Sequence, residues 1–308
     1  MSLRDLRLVS REPVGPPVLV GRDPDAAVSI LDLEDDLLDL YETGLQPGVS
    51  QGWESLRQHY TIKPGQFTIV TGVPHSGKSP FVNAMAMHCI VAHGWPIAWS
   101  SPEHLPYQDL AARLLQQFYR NLSFTDGLLL KMTRAEVLRA VDVLAPKMFF
   151  LPASEIHATI SHVLTRCLPL VEQGLKGLVI DPYGEFEHRL PSGMTETEYI
   201  SQLLTELRLF ARRHAVHIWL VAHPTKIQKS EDGTYPVVRP YDIAGSAAFF
   251  NKPDNILSIY REVAEPDYTQ VHIQKVKFRE VGHTGTVTLR HDSRTGTFYD
   301  VPPTKEDK

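Results

Sequence analysis

Gly72, Gly77, Lys78 and Ser79 stand at the spacing G-x-x-x-x-G-K-[ST] in the run TGVPHSGKS. Residues of these types at this spacing do one kind of chemistry well. The glycines let the backbone curl until its N–H groups face phosphate oxygens, the lysine reaches β- and γ-phosphates, and the serine hydroxyl binds Mg²⁺. Pro74 and Ser76 fall inside the same loop and belong to the same cradle. The ligand implied is a nucleoside triphosphate such as ATP, together with Mg²⁺.

Such a loop works only between a strand and a helix. Phe67 to Val70 supplies a short β-type run before it, and Ala84, Met87 and Ile90 recur at helical spacing after it. Pro80 is tolerable in the first helical turn, where an N–H has no intrahelical acceptor. In an open α/β sheet the ligand lies beyond the carboxyl ends of the strands, so the residues just past each strand are the next candidates. The strand at Pro96 to Ser101 leads to Glu103, a carboxylate able to orient or deprotonate an attacking water. Gly177 to Ile180 runs into Asp181, suited to holding Mg²⁺ through its water shell. Val216 to Ala222 ends at His223, which can hydrogen-bond a γ-phosphate. Lys277 and Arg279, two apart on an expected strand, point to one side and suit either a phosphate bound by an adjacent subunit or a plain basic edge.

The elements that must carry these residues alternate regularly. Helices are expected at Ser79–His93, Tyr107–Leu122, from Thr133 to near Pro146, at Glu155–Gln173 and from Thr195 to Arg213; Thr133 with Glu136 and Thr195 with Glu198 read as capping boxes. Strands are expected between them and at Ile256–Arg261, Thr269–Lys277 and Thr284–His291. The pattern predicts an α/β fold with a mostly parallel central sheet covered by helices and antiparallel strands at the C-terminal edge.

Three stretches emerge: a proline- and glycine-rich arm at 1–29, an amphipathic helix at 30–44, and the main domain at 45–308. In the second, Ile30, Leu33, Leu37, Leu40 and Tyr41 face away from Asp32, Glu34, Asp35, Asp36 and Asp39. Docking on its own domain and docking on a neighbouring subunit fit that pattern equally. With 308 residues, a formal charge of -5 and a pI near 6.3, the chain is not coated in positive charge, yet a few pore lysines suffice for nucleic acid, so net charge decides no partner. Cys89 and Cys167 lie in apolar-periodic segments and argue against a disulfide framework or cysteine metal site; a reducing compartment fits. No apolar run suits a membrane span, and no signal-peptide pattern appears.

From about Leu45 to Asp300 the chain resembles the RecA-like motor domain of hexameric replicative helicases of the DnaB type, and within them the Twinkle-like and phage primase-helicase branch. The resemblance is carried by Gly48–Trp53 with Leu56, by TGVPHSGKS, by SSPE ending at Glu103, and by VIDPYGEFEH at 179–188. It continues through LVAHPTK at 220–226, YDIAGSAAFFNKPDN at 241–255 and KFREVGHTG at 277–285. It implies a P-loop NTPase in which Glu103 is the catalytic base, Asp181 supports Mg²⁺, His223 is a polar relay, and Arg279 with Lys277 is a finger acting on the next subunit. It implies unwinding of duplex by a motor on single-stranded DNA, with Arg189, Lys226 and Lys229 in the two DNA-facing loops. The implied partners are a homo-oligomer in a hexameric ring and primase or other replication proteins, in the cytoplasm of a bacterial or phage-infected cell. Pro80 and Gly184, which stands where that branch often has Asn, depart from the family pattern. A primase-like N-terminal half is absent from the sequence, so primer synthesis is not implied. A recombination- or clock-type ATPase of the RecA class, and a nucleotide-dependent DNA-binding or assembly module, remain the alternatives.

Because the loop lysine meets phosphate and not the core, Lys78→Ala should abolish ATP turnover while the circular dichroism spectrum stays native. A folded variant with unchanged ATPase contradicts the phosphate-loop assignment.

Overall fold

The computed structural model describes residues 27–125, 127, 129–152, 159–225, 227–230, 234–243, 247–262 and 264–302, and divides into two units, Met1–Gln46 and Pro47–Lys308. In the first, Ser29 caps a 3-10 turn, Ile30–Leu33: its hydroxyl accepts from the Leu31 N–H, and its own N–H donates to Asp32. The turn continues into α1 (Glu34–Thr43), which stops at Gly44 with φ 73°. Leu33, Leu37, Leu40 and Tyr41 are all exposed along it.

The second unit begins with a short helix, α2 (Glu54–Arg57), then β1 (Phe67–Thr71) and α3 (Lys78–His93). β2 (Ile97–Ser100), α4 (Tyr107–Tyr119), the small pair β3 (Leu122–Ser123) and β4 (Leu130–Lys131), α5 (Arg134–Leu144) and β5 (Met148–Phe150) follow. Next come α6 (Ile160–Glu172), β6 (Gly177–Ile180), α7 (Glu196–His214), β7 (His217–Val221) and α8 (Ala248–Asn251). The chain closes with β8 (Asn255–Tyr260), β9 (Tyr268–Val276), β10 (Gly285–Asp292) and β11 (Thr297–Asp300).

Nine strands form one sheet in the order β11-β10-β9-β8-β1-β7-β6-β2-β5. The six from β8 to β5 are parallel, and β9, β10 and β11 add antiparallel to the β8 edge. Strand alternation sends side chains to opposite faces. Val70, Trp99, Val179, Trp219 and Leu257 pack with Phe81, Met85 and Leu114 of α3 and α4. Ile69, Ala98, Leu178, Ile218 and Leu220 pack with Leu164, Leu204 and Leu207 of α6 and α7. β1, buried at every residue, is sandwiched between the two.

Both expected capping boxes are present, with Thr133 and Thr195 each accepting from the N–H three residues on and receiving the glutamate in return. The expected start of α6 at Glu155 falls partly on 153–158, outside the described residues, and the helix is assigned from Ile160. One expectation needs correcting: β9 ends at Val276, so Lys277 and Arg279 lie in a turn and not on a strand. The turn arises because Lys277 N–H bonds the Asp254 carbonyl, taking the backbone out of the β9–β10 ladder. α2 and β11 have no counterpart in the sequence reading.

Candidate nucleotide site

The phosphate loop leaves β1 at Gly72, where φ is 149° and an added Cβ would come within 2.2 Å of the Ile259 carbonyl. Only glycine fits there. Gly77 closes the loop with φ 94° and serves as N-cap of α3, so the first N–H groups of that helix face the loop's concavity. The Ser76 hydroxyl is buried with no partner, and the buried Lys78 ammonium donates to the Val73 carbonyl at 2.9 Å. A glycine-lined concavity, an unpartnered hydroxyl and a lysine folded back over its own loop fit a polyphosphate. Pro80 sits in the first turn of α3, where its carbonyl accepts from the Gln117 amide at 3.0 Å.

The ends of β2, β6, β7 and β1 are in register, Ser100 opposite Ile180, Ile180 opposite Leu220, and Val70 opposite Val221. Ser101, Asp181 and His223 therefore emerge on adjacent strands beside the loop. The Ser79 hydroxyl donates to Asp181 Oδ1 at 3.1 Å, and the Ser101 hydroxyl holds the Asp181 carbonyl at 2.6 Å. Glu103 lies in the next turn, exposed, close enough that its charge is felt by Lys78, Asp181 and His223. The serine hydroxyl and buried carboxylate form a donor set suited to Mg²⁺.

Burial sets the electrostatics. It pushes Asp181 up to about 7, against the Ser79 hydrogen bond and the Lys78 charge, while Glu103 pushes the same way as burial. It pulls Lys78 down to about 8 although Asp181 and Glu103 oppose it. Burial first, then the Lys78 charge, lowers His223 below the ordinary histidine value. Each group is displaced toward its uncharged form because the site is dry.

Two residues beside the loop escape the sequence reading. Arg261, one residue past β8, donates twice to the Thr269 hydroxyl, at 3.1 and 2.9 Å, and its guanidinium lies where a Cβ on Gly77 would be. The same inspection of strand ends that selects Asp181 would find it. His291, on β10, is buried and pushed down to about 4 by burial and then by the Arg261 charge. Nothing in its sequence context marks it. A cleft of about 810 Å³ opens between the loop and the strand end at Pro74, His75, Tyr235, Tyr260 and Arg261.

The other expected site residues lie elsewhere. Arg279 is exposed and borders a polar cleft with Gly48, Glu54, Arg57 and Glu280. Its turn follows the end of an antiparallel strand, which puts it at the amino ends of β1 and β8, the opposite edge of the sheet from the phosphate loop. Lys277 is 3.7 Å from the buried Asp254 carboxylate. In the segment after Asp181, exposed Arg189 pairs with Glu187 at 2.7 Å. Lys229, after His223, lies 5.1 Å over the Tyr235 ring, whereas Lys226 lies outside the described residues. Phe186, a candidate for stacking on bases, is buried in the α6–α7 core, so Tyr183 is the available aromatic of that segment.

A phosphate loop heading a central parallel strand, a buried aspartate beside it and an antiparallel edge define a P-loop NTPase of the RecA-like fold. The chain belongs to the DnaB-like helicase C-terminal domain family, which matches residues 48–300. It is 36% identical over 276 residues to the Twinkle homolog protein, chloroplastic/mitochondrial, of Arabidopsis thaliana, covering 85% of this chain and 38% of that protein. The chain thus spans well under half that relative's length. Among solved structures, an isolated ATPase domain superposes with a TM-score of 0.70 at 18% identity, covering 88% of this chain and 99% of the other. A DnaB-like replicative helicase, described with its interactions with primase, gives 0.68 at 18% identity over 89% of this chain and 71% of that one. The RadB recombinase gives 0.56 at 17% identity over 82% and 99%. Among the described residues no helix is long and apolar enough to cross a membrane.

Glu103→Gln should retain ATP binding, read by fluorescent-nucleotide titration, and lose hydrolysis, because an amide accepts a hydrogen bond but no proton. Lost binding would make Glu103 a structural residue. The kcat/KM for ATP should peak between about pH 7 and 8: Asp181 gains its charge as pH rises through about 7, and Lys78 loses its own above about 8. A profile flat from about pH 6 to 9 contradicts both assignments.

Proposed function

We propose that the chain is an ATP-dependent DNA helicase motor that translocates on single-stranded DNA, unwinds duplex and hydrolyses ATP between subunits of a homo-oligomeric, hexameric ring. The observation that carries this reading is the separation of Arg279 from its own phosphate loop. β1 alone, five residues long, spans roughly 13 Å between the two edges. An exposed arginine on the far edge meets a phosphate only if a second copy brings one.

Lys78 and the loop N–H groups hold the β- and γ-phosphates, and Glu103 orients and deprotonates the attacking water. Bound Mg²⁺, held by Ser79 and through water by Asp181, would neutralise phosphate charge. His223 relays the state of the γ-phosphate. Arg279, with Lys277 beside it, stabilises the charge that develops on the neighbour's γ-phosphate. Arg261 and His291 lie where the nucleoside follows the phosphates. The segments after Asp181 and His223, with Arg189, Lys229 and Lys226, track DNA phosphates without reading bases.

The 30–44 helix docks on a neighbouring copy in this reading. Its acidic and leucine-rich faces suit the groove of about 610 Å³ between α6 and α7, where Leu168, Leu209 and Phe210 adjoin Arg213, His214 and Lys252. Primase is the partner suggested by the family. Two buried free thiols, both raised by burial, suit a reducing compartment such as a bacterial cytoplasm. The RecA-like fold would serve a recombinase equally, and the Lys277-x-Arg279 turn is the feature that favours the motor.

Arg279→Ala should bind ATP normally and hydrolyse it about 10³-fold more slowly. Mixed with Lys78→Ala protein it should regain ATPase and displacement of a forked strand, since mixed rings pair an intact loop with an intact finger. A mixture as inactive as its components, with subunit exchange verified, refutes action across the interface.

A further inference from the structure

The turn that carries Arg279 is fastened to residues 48–63, which precede β1 in sequence. Both the N–H and the hydroxyl of Thr61 donate to the Val281 carbonyl, at 2.9 and 2.8 Å. The same hydroxyl accepts from the Gly48 N–H at 3.0 Å, so its donor and one acceptor site are both used. Around it, His283 N–H donates to the His59 carbonyl at 3.1 Å, and Lys63 pairs with Glu280 at 3.4 Å. Gly282, with φ 151°, lies flat on the chain: a Cβ there would be 2.1 Å from the His59 carbonyl oxygen. On the other flank Lys277 is tied through its N–H, at 3.0 Å, to the Asp254 carbonyl.

The platform itself is anchored to the sheet. Fully buried Tyr60 places its hydroxyl 3.0 Å from the Thr68 hydroxyl and 3.3 Å from His217 Nε2. His217 Nδ1 is 2.8 Å from the Lys63 carbonyl, which makes Nδ1 the protonated nitrogen and leaves Nε2 to accept. Burial pushes this histidine down to about 4, so the network stays neutral and intact at physiological pH. Residues 59–63 are therefore held by β1 and β7 and in turn hold residues 280–283.

We propose that Thr61 is a positioning residue for the arginine finger: by gripping the Val281 carbonyl two residues from Arg279, it fixes the direction in which the guanidinium is offered to a neighbouring subunit's nucleotide. The proposal rests on the trans-acting role of Arg279. A finger held in place before the subunits meet loses less freedom when it engages, and a misplacement of about 1 Å can cost up to a hundredfold in rate.

Thr61→Val keeps the shape of the side chain and removes both hydroxyl bonds, whereas Thr61→Ser keeps them. In the full chain, Thr61→Val should lower ATPase kcat roughly tenfold, with ATP affinity and thermal midpoint near wild type, and Thr61→Ser should restore the rate. The defect should also belong to the finger side of the interface. Mixing Thr61→Val with Lys78→Ala should recover activity, and mixing it with Arg279→Ala should not, because neither component then offers a competent finger. A wild-type kcat for Thr61→Val overturns the proposal. So does a defect that persists in the Lys78→Ala mixture while Arg279→Ala with Lys78→Ala recovers. If that last pair stays inactive, the trans reading fails first and takes the proposal with it. Should Thr61→Val not fold, Lys63→Met, which releases Glu280 beside Arg279, must show the same mixing pattern; its absence overturns the proposal.

Discussion

The site depends on β1 being buried on both faces. A strand flanked by β7 and β8 and covered by helices on either side has no freedom to shift, so the loop that leaves it and the aspartate on β6 keep a fixed relation. The 3.1 Å bond from Ser79 to Asp181 joins residues 102 apart in sequence and exists only because four strand ends are in register. A one-residue slip of β6 would turn Asp181 to the other face of the sheet and remove its carboxylate from the loop.

The same sheet separates two halves of the chemistry. One edge gathers the phosphate loop, Asp181, Glu103 and His223; the other carries Lys277 and Arg279. Parallel strands with a shared polarity make the first edge, because every carboxyl end lies there. The reversal at β9 makes the second, by returning the chain to the amino ends of β1 and β8. Asp254 marks that edge: its buried carboxylate accepts from the Phe67 N–H at 3.1 Å and faces Arg212 and Lys277. The Lys277 ammonium thus has an intramolecular anion near it, while the exposed Arg279 guanidinium has no ion pair among the described residues. This asymmetry fits Arg279 as the group offered outward.

What is legible in the sequence is what local chemistry dictates. The loop needs glycine at positive φ, the capping boxes need threonine and glutamate three apart, and strand ends need polar residues where a ligand waits; Gly72, Gly77, Thr133, Thr195 and Asp181 all obey rules of this kind. The turn at 277–279 reads as strand because its apolar alternation continues while the register is ended by a distant residue, Asp254. Phe186 looks available for the same reason: only the packing of α6 and α7 buries it. Thr61, His217 and His291 acquire meaning from partners between 149 and 220 residues away or from burial alone, and no local pattern records either.

Burial of Lys78 and Asp181 in one dry site gives the protein a reason to bind its ligand as a unit. Each is held away from its charged form by desolvation, and their mutual attraction only partly offsets that. A polyphosphate alone would favour the lysine ammonium but repel the carboxylate, and a cation alone would do the reverse. Together they stabilise both charges, so phosphate and cation should bind with positive coupling. The coupling completes the charge pattern at one edge of the sheet only. The charge that develops on the γ-phosphate during hydrolysis still faces outward, toward wherever a neighbouring arginine can reach. A site built this way binds its nucleotide alone and reacts in company.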